Sequence, residues 1–306
     1  MPEGHVTHRL AIGLTERFAG TPTRSSSPQG RFAPEATEID GHPLDFAEAY
    51  GKNLFAHFGE RTVHVHLGLA GKWYMVADDC AGAARPVVGT IRWRLENDLH
   101  YADLRGPQAC ALVSADRQSE ITGALGPDPL RPDADPELGW LRVRVSKMPI
   151  ALLLMDQRVS AGVGNIFRAE VLYRHRLDPM MQGRLLRPAE WHAIWDDLVT
   201  LMSSAVARGR IDSVRPEHEP VAMGRAPRVD RHGGEVYVYR RADLPCLVCG
   251  TRVRTAELGG RNLFWCPKCQ RPSRRRLPAT PVPRAGRARR PAVPDPVSVA
   301  RPTVHP

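Results

Sequence analysis

Four cysteines near residue 250 constrain this chain more than any other feature of its sequence. Cys246 and Cys249 form one C-x2-C pair, and Cys266 and Cys269 form a second pair after 16 intervening residues. Two such pairs on a β-hairpin bring four thiolates to one point, which is the tetrahedral ligand set of a structural Zn²⁺. We therefore predict one zinc ion with no open coordination position. Redox-active or unrelated cysteines are the alternative.

The length and composition indicate a globular protein with more than one domain. A chain of 306 residues exceeds one ordinary hydrophobic core, and 42% hydrophobic with 25% charged residues excludes a wholly disordered chain. The longest apolar run, 149–155, is too short to span a membrane, and the first residues lack the features of a secretory signal. The low cysteine count favours a reducing compartment, so we expect a cytoplasmic protein in which Cys80 and Cys110 are buried thiols.

Positive charge is concentrated at the C-terminal end. The net charge is +10, and residues 271–306 contain nine arginines, one aspartate and nine prolines. This composition predicts a disordered tail. The remaining body carries little net charge but can gather its arginines on one face, so the distribution fits a polyanion partner.

The first half of the chain has the pattern of a helix followed by β-strands. Apolar residues at four-residue spacing predict a helix over 4–19. Short β-rich runs at 63–67, 90–94 and 109–113, punctuated by Gly and Pro, predict an antiparallel sandwich or barrel. Prolines then crowd a short acidic stretch, 126–139, which we interpret as an interdomain linker.

The second half has the pattern of helices. We predict helices over 150–157 and 166–175, and a longer one from Pro188 to just before Gly209 whose apolar stripe is core packing. Residues 212–234 show no periodicity, so they are either an ordered functional loop or a slack connector.

The first residues carry a second chemical feature. Removal of Met1 leaves Pro2 as a free secondary amine, which can attack an aldehyde-like carbon and form an iminium ion. Glu3 is placed to supply or take a proton beside that amine. On these residues alone, a start of Met-Pro-Glu without any chemical role is the better interpretation.

Six short motifs occur in one order along residues 1–270. They are Met-Pro-Glu-Gly at 1–4, Gly51-Lys52, His66-Leu67-Gly68-Leu69, Leu154-Met155-Asp156-Gln157-Arg158, Ala161-Gly162-Val163-Gly164-Asn165-Ile166 and the four-cysteine finger. Together they resemble the formamidopyrimidine-DNA glycosylase/endonuclease VIII (Fpg/Nei) family of DNA repair enzymes, and within it the bacterial endonuclease VIII-like branch.

The resemblance implies an α+β multidomain fold with double-stranded, damaged DNA lying across the cleft between domains. The β-rich, helical and zinc-hairpin order inferred from the residues agrees with it. It implies a monomeric protein of the bacterial nucleoid. The implied parts are an N-terminal catalytic β-sandwich with a flanking helix (1–125), a linker (126–139), a DNA-binding domain with a helix-two-turns-helix (140–234), a C-terminal zinc-finger β-hairpin (235–270) and the basic tail (271–306).

The resemblance also implies the catalytic residues. Pro2 would attack C1′ of the damaged nucleotide, and Glu3 would protonate the deoxyribose ring oxygen. Lys52 and Arg261 match the family's loop lysine and finger arginine, which hold the phosphate backbone beside the lesion together with Asn165.

Two further residues match the family's DNA-contacting positions. Leu69 falls where the family inserts an apolar wedge into the emptied base stack. Its neighbours, Gly68 and Ala70, differ from the polar and aromatic partners of many relatives. Arg105 is the nearest candidate to face the orphaned base.

The implied function is a bifunctional DNA glycosylase and AP lyase that excises oxidised bases and nicks the strand by β,δ-elimination. Where the purine-specific branch has an Ile-Lys pair that helps recognise oxidised purine, this chain has Ile150-Ala151. We therefore predict a preference for oxidised pyrimidines. The alternatives are an oxidised-purine glycosylase, a non-catalytic damaged-DNA-binding relative and a zinc-ribbon protein that grips RNA.

Overall fold

Two four-stranded antiparallel sheets and a helix occupy the first part of the chain. The computed structural model describes residues 2–77, 86–230 and 234–275, so Cys80 lies outside the described residues. The strands are β1 (Arg24–Ser26), β2 (Phe46–Tyr50), β3 (Asn53–Phe58), β4 (Arg61–His66), β5 (Lys72–Ala77), β6 (Trp93–Glu96), β7 (His100–Arg105) and β8 (Ala109–Val113). One sheet has the order β2-β3-β4-β8 and the other β1-β6-β7-β5.

The two sheets form a sandwich around one apolar core. Phe58 of β3 and Trp93 of β6 come from different sheets, and their ring centroids lie 6.2 Å apart. Helix α1 (Gly4–Phe18) buries Leu14 and Phe18 in the same core, as its four-residue spacing predicts, and a short helix α2 is Ala33–Glu38. Cys110 is buried here, as predicted.

The helical part and the zinc hairpin share a second core. Helix α3 (Ala115–Gly123) follows the sandwich and buries no residue. The helices of the second core are α4 (Pro136–Val143), α5 (Ile150–Leu153), α6 (Asn165–Arg174) and α7 (Pro188–Arg208), and the hairpin strands are β9 (Arg254–Leu258) and β10 (Arg261–Trp265). Phe167 of α6, Trp191 of α7 and Phe264 of β10 are buried together. The hairpin is therefore fixed against α6 by apolar packing. None of the helices in the described ranges is long and apolar enough to cross a membrane.

Two predicted elements differ from the structure. The helix predicted over 150–157 ends at Leu153, because the Asp156 carboxylate accepts the backbone N–H of Arg158 at 3.0 Å and so favours a turn. The strand predicted over 90–94 begins only at Trp93, because the carbonyls of the two residues before it accept hydrogen bonds from a loop: that of Ile91 from the Gln29 N–H at 3.0 Å and that of Arg92 from the Ser27 hydroxyl at 2.7 Å.

The start of the predicted tail packs on the helical part. The Arg275 guanidinium binds both carboxylate oxygens of Glu190, near the start of α7, at 2.6 Å. The tail predicted from residue 271 is therefore held as far as Arg275, and residues 276–306 lie outside the described residues.

The sandwich and the helical part meet at three glycines. The N–H of Gly4 donates to the carbonyl of Gly162 at 2.8 Å, and a Cβ on Gly4 would lie 2.8 Å from the Gly162 Cα. Gly51, in the turn between β2 and β3, has a φ of 59°, and a Cβ there would lie 3.0 Å from the Gly162 nitrogen. This close approach brings the N-terminus, the turn before Lys52 and the loop before α6 to one place.

Candidate active site

The Glu3 carboxylate is buried at the N-terminus of α6. Its Oε1 accepts the N–H of Ile166 at 2.7 Å, and its Oε2 accepts those of Gly164 at 3.1 Å and Phe167 at 3.3 Å. A Cβ on Gly164 would overlap the carboxyl group, so glycine is required there. Complete burial raises the pKa of Glu3. The backbone N–H donors and the Lys52 ammonium lower this pKa, but burial is the larger effect. The helix N-terminus thus holds a proton-exchanging group in a fixed position.

Lys52 lies within electrostatic reach of Glu3. Its Nζ donates to the carbonyl of Val163 at 2.8 Å, in the loop that leads into α6. Burial lowers the pKa of Lys52, Glu3 raises it and Arg261 lowers it again. The structure therefore brings three of the residues singled out from the sequence into one electrostatic cluster.

Asn165 joins the start of α6 to the zinc hairpin. Its Nδ2 donates to the carbonyl of Asn262 at 3.0 Å, and its Oδ1 accepts from the Arg168 guanidinium. Arg168 is completely buried and also donates to the Asn262 carbonyl at 3.2 Å. Burial lowers the pKa of Arg168 to about 10. Sequence reasoning missed this residue, because an arginine inside a helical pattern is usually a solvated one.

The hairpin tip presents Arg261 next to this junction. Leu258 and Arg261 pair across a two-residue turn, Gly259-Gly260, in which both residues have positive φ, at 59° and 69°. This is the turn type that matches the twist of a β-hairpin, and glycine adopts it without strain. Within the described residues, the Arg261 side chain has no hydrogen-bond or ion-pair partner. It is therefore available to an anion.

The four predicted zinc ligands lie together. The sulfur atoms of Cys246, Cys249, Cys266 and Cys269 are all within 4.8 Å of one another. Zn–S bonds of about 2.3 Å in a tetrahedron place sulfurs about 3.8 Å apart, so this donor set fits Zn²⁺. The Tyr173 hydroxyl lies 3.0 Å from the Cys246 sulfur and ties α6 to the metal centre. Four thiolate ligands leave no site for substrate, and the zinc is structural.

Pro2 lines an open cavity of about 700 Å³ between the sandwich and the helical part. A volume of this size is typical of ligand pockets. Leu69, in the loop between β4 and β5, is 63% exposed and lines the same cavity. Arg228 and Asp230, from the aperiodic segment 212–234, also line it.

The segment 212–234 is anchored rather than slack where the structure describes it; residues 231–233 lie outside. The buried Glu170 carboxylate of α6 accepts the Ser213 hydroxyl at 2.5 Å and the N–H of Tyr237 at 2.7 Å, so one carboxylate holds both ends of the segment. Arg225 binds Glu235 at 2.7 Å. Of the two alternatives left open by the sequence, these contacts favour an ordered loop.

Arg105 lies apart from this group. It is the last residue of β7, and its guanidinium binds the Asp103 carboxylate at 3.3 Å and stacks over the Tyr74 ring at 4.9 Å. It does not line the cavity that contains Pro2. Its guanidinium must leave these partners before it can face a base.

Asp128 is a second residue that sequence reasoning missed. Its side chain is completely buried in the predicted linker, and its Oδ2 accepts the N–H of Gly51 and the His8 imidazole, each at 2.7 Å. The Pro-rich composition indicated a linker, whereas Asp128 fixes the turn before Lys52 to α1. A carboxylate among prolines, in a stretch whose composition is that of a linker, carries no sequence signal of that contact.

Three family models match the chain. "Formamidopyrimidine-DNA glycosylase N-terminal domain" matches residues 1–110, "Formamidopyrimidine-DNA glycosylase H2TH domain" matches 125–215, and "Zinc finger found in FPG and IleRS" matches 243–272. The matches follow the order of the sandwich, the helical part and the zinc hairpin.

The similarity to two bacterial DNA repair proteins covers most of the chain. It is similar to Endonuclease 8 1 of Mycobacterium tuberculosis, with 48% identity over 274 residues that cover 88% of this chain and 100% of that protein. It is also similar to DNA-(apurinic or apyrimidinic site) lyase Nei2 of Mycolicibacterium smegmatis, with 31% identity over 277 residues that cover 88% and 99%. Among solved structures, Lactococcus lactis formamidopyrimidine-DNA glycosylase bound to DNA containing an AP site has a TM-score of 0.70 at 20% identity, covering 88% of this chain and 100% of that one.

Proposed function

The chain belongs to the formamidopyrimidine-DNA glycosylase/endonuclease VIII family, and we propose that it excises oxidised pyrimidines through an iminium ion on Pro2. The glycosylase and AP lyase activities of base excision repair are those of its relatives, one of which is named an AP lyase. The nucleophile, the residue roles and the lesion preference are the proposed part.

One observation carries this proposal: Pro2 opens on a ligand-sized cavity while the adjacent Glu3 is buried and fixed by three backbone donors. A nucleophile must be accessible to substrate, and a general acid must be held in place with a perturbed pKa. Both conditions are met by neighbouring residues of the chain.

The chemistry begins with a nucleotide that has left the duplex, which costs a few kcal/mol of stacking and least for a damaged base. With Met1 removed, the Pro2 nitrogen attacks C1′, the C1′–base bond breaks with its electron pair leaving on the base, and the proton lost from the Pro2 nitrogen neutralises the base. Glu3 protonates the ring oxygen, the sugar opens, and the nitrogen lone pair forms the C1′ iminium. Loss of a C2′ proton then expels the 3′ phosphate, and a second elimination expels the 5′ phosphate.

Lys52, Asn165 and Arg261 hold the phosphates that flank this sugar. They lie around the start of α6, and Arg261 has an unpaired guanidinium suited to a phosphate. The backbone N–H groups of Gly164, Ile166 and Phe167 donate to the Glu3 carboxylate. They are therefore not available to a phosphate, which must be bound at this helix end by Asn165.

Leu69 fills the space that the extruded nucleotide leaves in the stack. It is an exposed apolar side chain on a loop beside the cavity, which suits insertion between bases. Arg105 faces the opposite base after releasing Asp103. The bound zinc supplies no chemistry of its own; its four cysteines keep the hairpin closed and so place Arg261.

The preference for pyrimidines rests on the residues before α6. Ala151 is completely buried and offers no side-chain donor to a purine carbonyl. Loss of one charge-assisted hydrogen bond disfavours oxidised purine by about 1.5–3 kcal/mol, or about one to two orders of magnitude in rate. We place this activity on double-stranded DNA in the bacterial nucleoid, with the protein acting as a monomer.

The experiment is single-turnover excision from matched duplexes by processed, zinc-loaded protein. Thymine glycol opposite adenine should be excised faster than 8-oxoguanine opposite cytosine, and both ends of the resulting gap should carry phosphate. Equal rates would refute the preference, and a strand left intact at a pre-formed abasic site would refute the lyase.

A further inference from the structure

The imidazole of His5 is buried and makes no hydrogen bond to the described part of the chain. Only 6% of the residue's surface is exposed, its Nδ1 is buried without a partner, and its other ring nitrogen makes no hydrogen bond to the described residues. Its ring packs edge-on against Phe167, with centroids 5.4 Å apart at 86°. By contrast, His8 binds Asp128 at 2.7 Å and His64 binds Asn53 at 2.9 Å.

An unpaired polar group inside a protein is costly. Leaving a buried donor or acceptor without a partner costs roughly 1–3 kcal/mol, and most such groups in native proteins are paired. An imidazole kept in this state therefore points to a partner that arrives with substrate. His5 lines the 700 Å³ cavity together with Pro2 and also a second cavity of about 560 Å³ beside α1. A partner that arrives with substrate enters the first cavity, because the nucleophile lies there.

The other polar side chains of this cavity are engaged or exposed. Arg228 binds Asp230 at 2.6 Å, Arg210 binds Asp212 at 2.9 Å, and Lys72 is exposed. Val6, the next residue of α1 on the cavity wall, is apolar. Among the residues that line this cavity, His5 is thus the buried polar group nearest in sequence to the nucleophile, three residues from Pro2.

We propose that His5 is a specificity-determining residue that accepts a hydrogen bond from the imide N3–H of the extruded base. The proposal rests on the proposed function and deepens it. A neutral imidazole has one donor and one acceptor nitrogen that point in divergent directions, so the ring can pair with the imide N–H of thymine glycol or dihydrouracil but not at the same time with the adjacent carbonyl. Burial lowers the pKa of His5 to about 4, so the ring is neutral at pH 7 and keeps this donor–acceptor character.

The test compares His5→Phe with His5→Gln. Phe keeps the ring and its edge contact with Phe167 but cannot hydrogen-bond, whereas Gln restores a donor and an acceptor. We expect His5→Phe to slow single-turnover excision of thymine glycol by about ten- to hundred-fold, with a smaller loss on pre-formed abasic sites, and His5→Gln to recover most of the rate. Equal losses on both substrates, or no loss in His5→Phe, would overturn the proposal.

A substrate change tests the same contact without altering the protein. Thymine glycol methylated at N3 lacks the imide N–H, and wild-type protein should excise it about tenfold more slowly although its pairing with adenine is weaker. His5→Phe should excise the methylated and unmethylated lesions at similar rates. Undiminished excision of the methylated lesion by wild-type protein contradicts the inference. Wild-type protein that neither excises the unmethylated lesion nor cuts abasic sites would instead refute the proposed function.

Discussion

The Asp128 carboxylate accepts a 2.7 Å hydrogen bond from the backbone N–H of Gly51, the residue before Lys52. The same oxygen binds His8 of α1, and the other oxygen accepts the N–H of Leu130 at 2.9 Å. One buried carboxylate therefore connects the helix that follows Pro2, the turn that carries Lys52 and the chain between the two cores. The position of Lys52 depends on a residue with no chemical role of its own.

Replacing Asp128 by Asn should lower both stability and lyase activity. An amide has one acceptor oxygen, so its NH₂ group would face one of the donors that the carboxylate now accepts. We expect a loss of about 1–3 kcal/mol in the free energy of unfolding, measured with urea. His8→Gln, which keeps a donor to Asp128, should change stability less; an Asp128→Asn protein as stable as wild type would contradict this account.

Glu3→Gln should impair base release more than strand cleavage at a pre-formed abasic site. General acid catalysis contributes about 10²–10⁴-fold, and an abasic sugar already equilibrates with its open aldehyde. The measurement is the ratio of the two single-turnover rates. Glu170→Gln is the matched control. It alters a different buried carboxylate, which belongs to α6 and lies outside the cavity, so it should lower both rates alike. An unchanged ratio in Glu3→Gln would count against its role as the acid.

Cys266→Ser should reduce zinc content below the one ion per chain expected for wild type. The hairpin shares its core with α6, so loss of the metal displaces Arg261 and also loosens the helical part. We expect weaker binding to abasic-site DNA and a lower unfolding temperature. Cys110→Ser, a buried cysteine outside the cluster, is the control for zinc content. Normal DNA binding by a zinc-free protein would refute the link between the metal and Arg261.

Acid should destabilise the fold between pH 6.5 and 4. Burial lowers the pKa of His5 and of His64 from 6.5 to about 4. The unfolded chain therefore takes up protons below pH 6.5 that the folded chain refuses, so the free energy of unfolding falls as the pH falls. We expect a decrease of about 1–2 kcal/mol for His5 between pH 7 and 5, and a smaller one for the less buried His64. The decrease should shrink in His64→Gln; an identical pH dependence would contradict the assignment.

Periodicity and spacing predicted the elements that local sequence determines. The helix over 4–19 and the long helix after Pro188 follow from apolar spacing, and the zinc cluster follows from cysteine spacing. Glu3 and its partner Gly164 are 161 positions apart in the sequence, and Asp128 and Gly51 are 77 positions apart. No local pattern encodes such contacts.

The same limit applies to buried polar residues. Arg168 and His5 occupy positions in helices where a polar side chain normally meets solvent, and only the packed structure shows that both are enclosed. Arg105 shows the opposite case. Its place in the sequence made it a candidate DNA-contacting residue, but in the structure it contacts Asp103 and Tyr74 and does not line the cavity.

The central claim is that the amine of Pro2 attacks the sugar, and borohydride trapping on abasic-site DNA tests it most directly. Reduction converts the iminium into a stable amine, so processed protein should become cross-linked, and peptide mapping should place the adduct on the Pro2 nitrogen. A form that retains Met1 should trap at least about a hundredfold less. An adduct mapped to Lys52, or equal trapping by the form that retains Met1, would contradict the account.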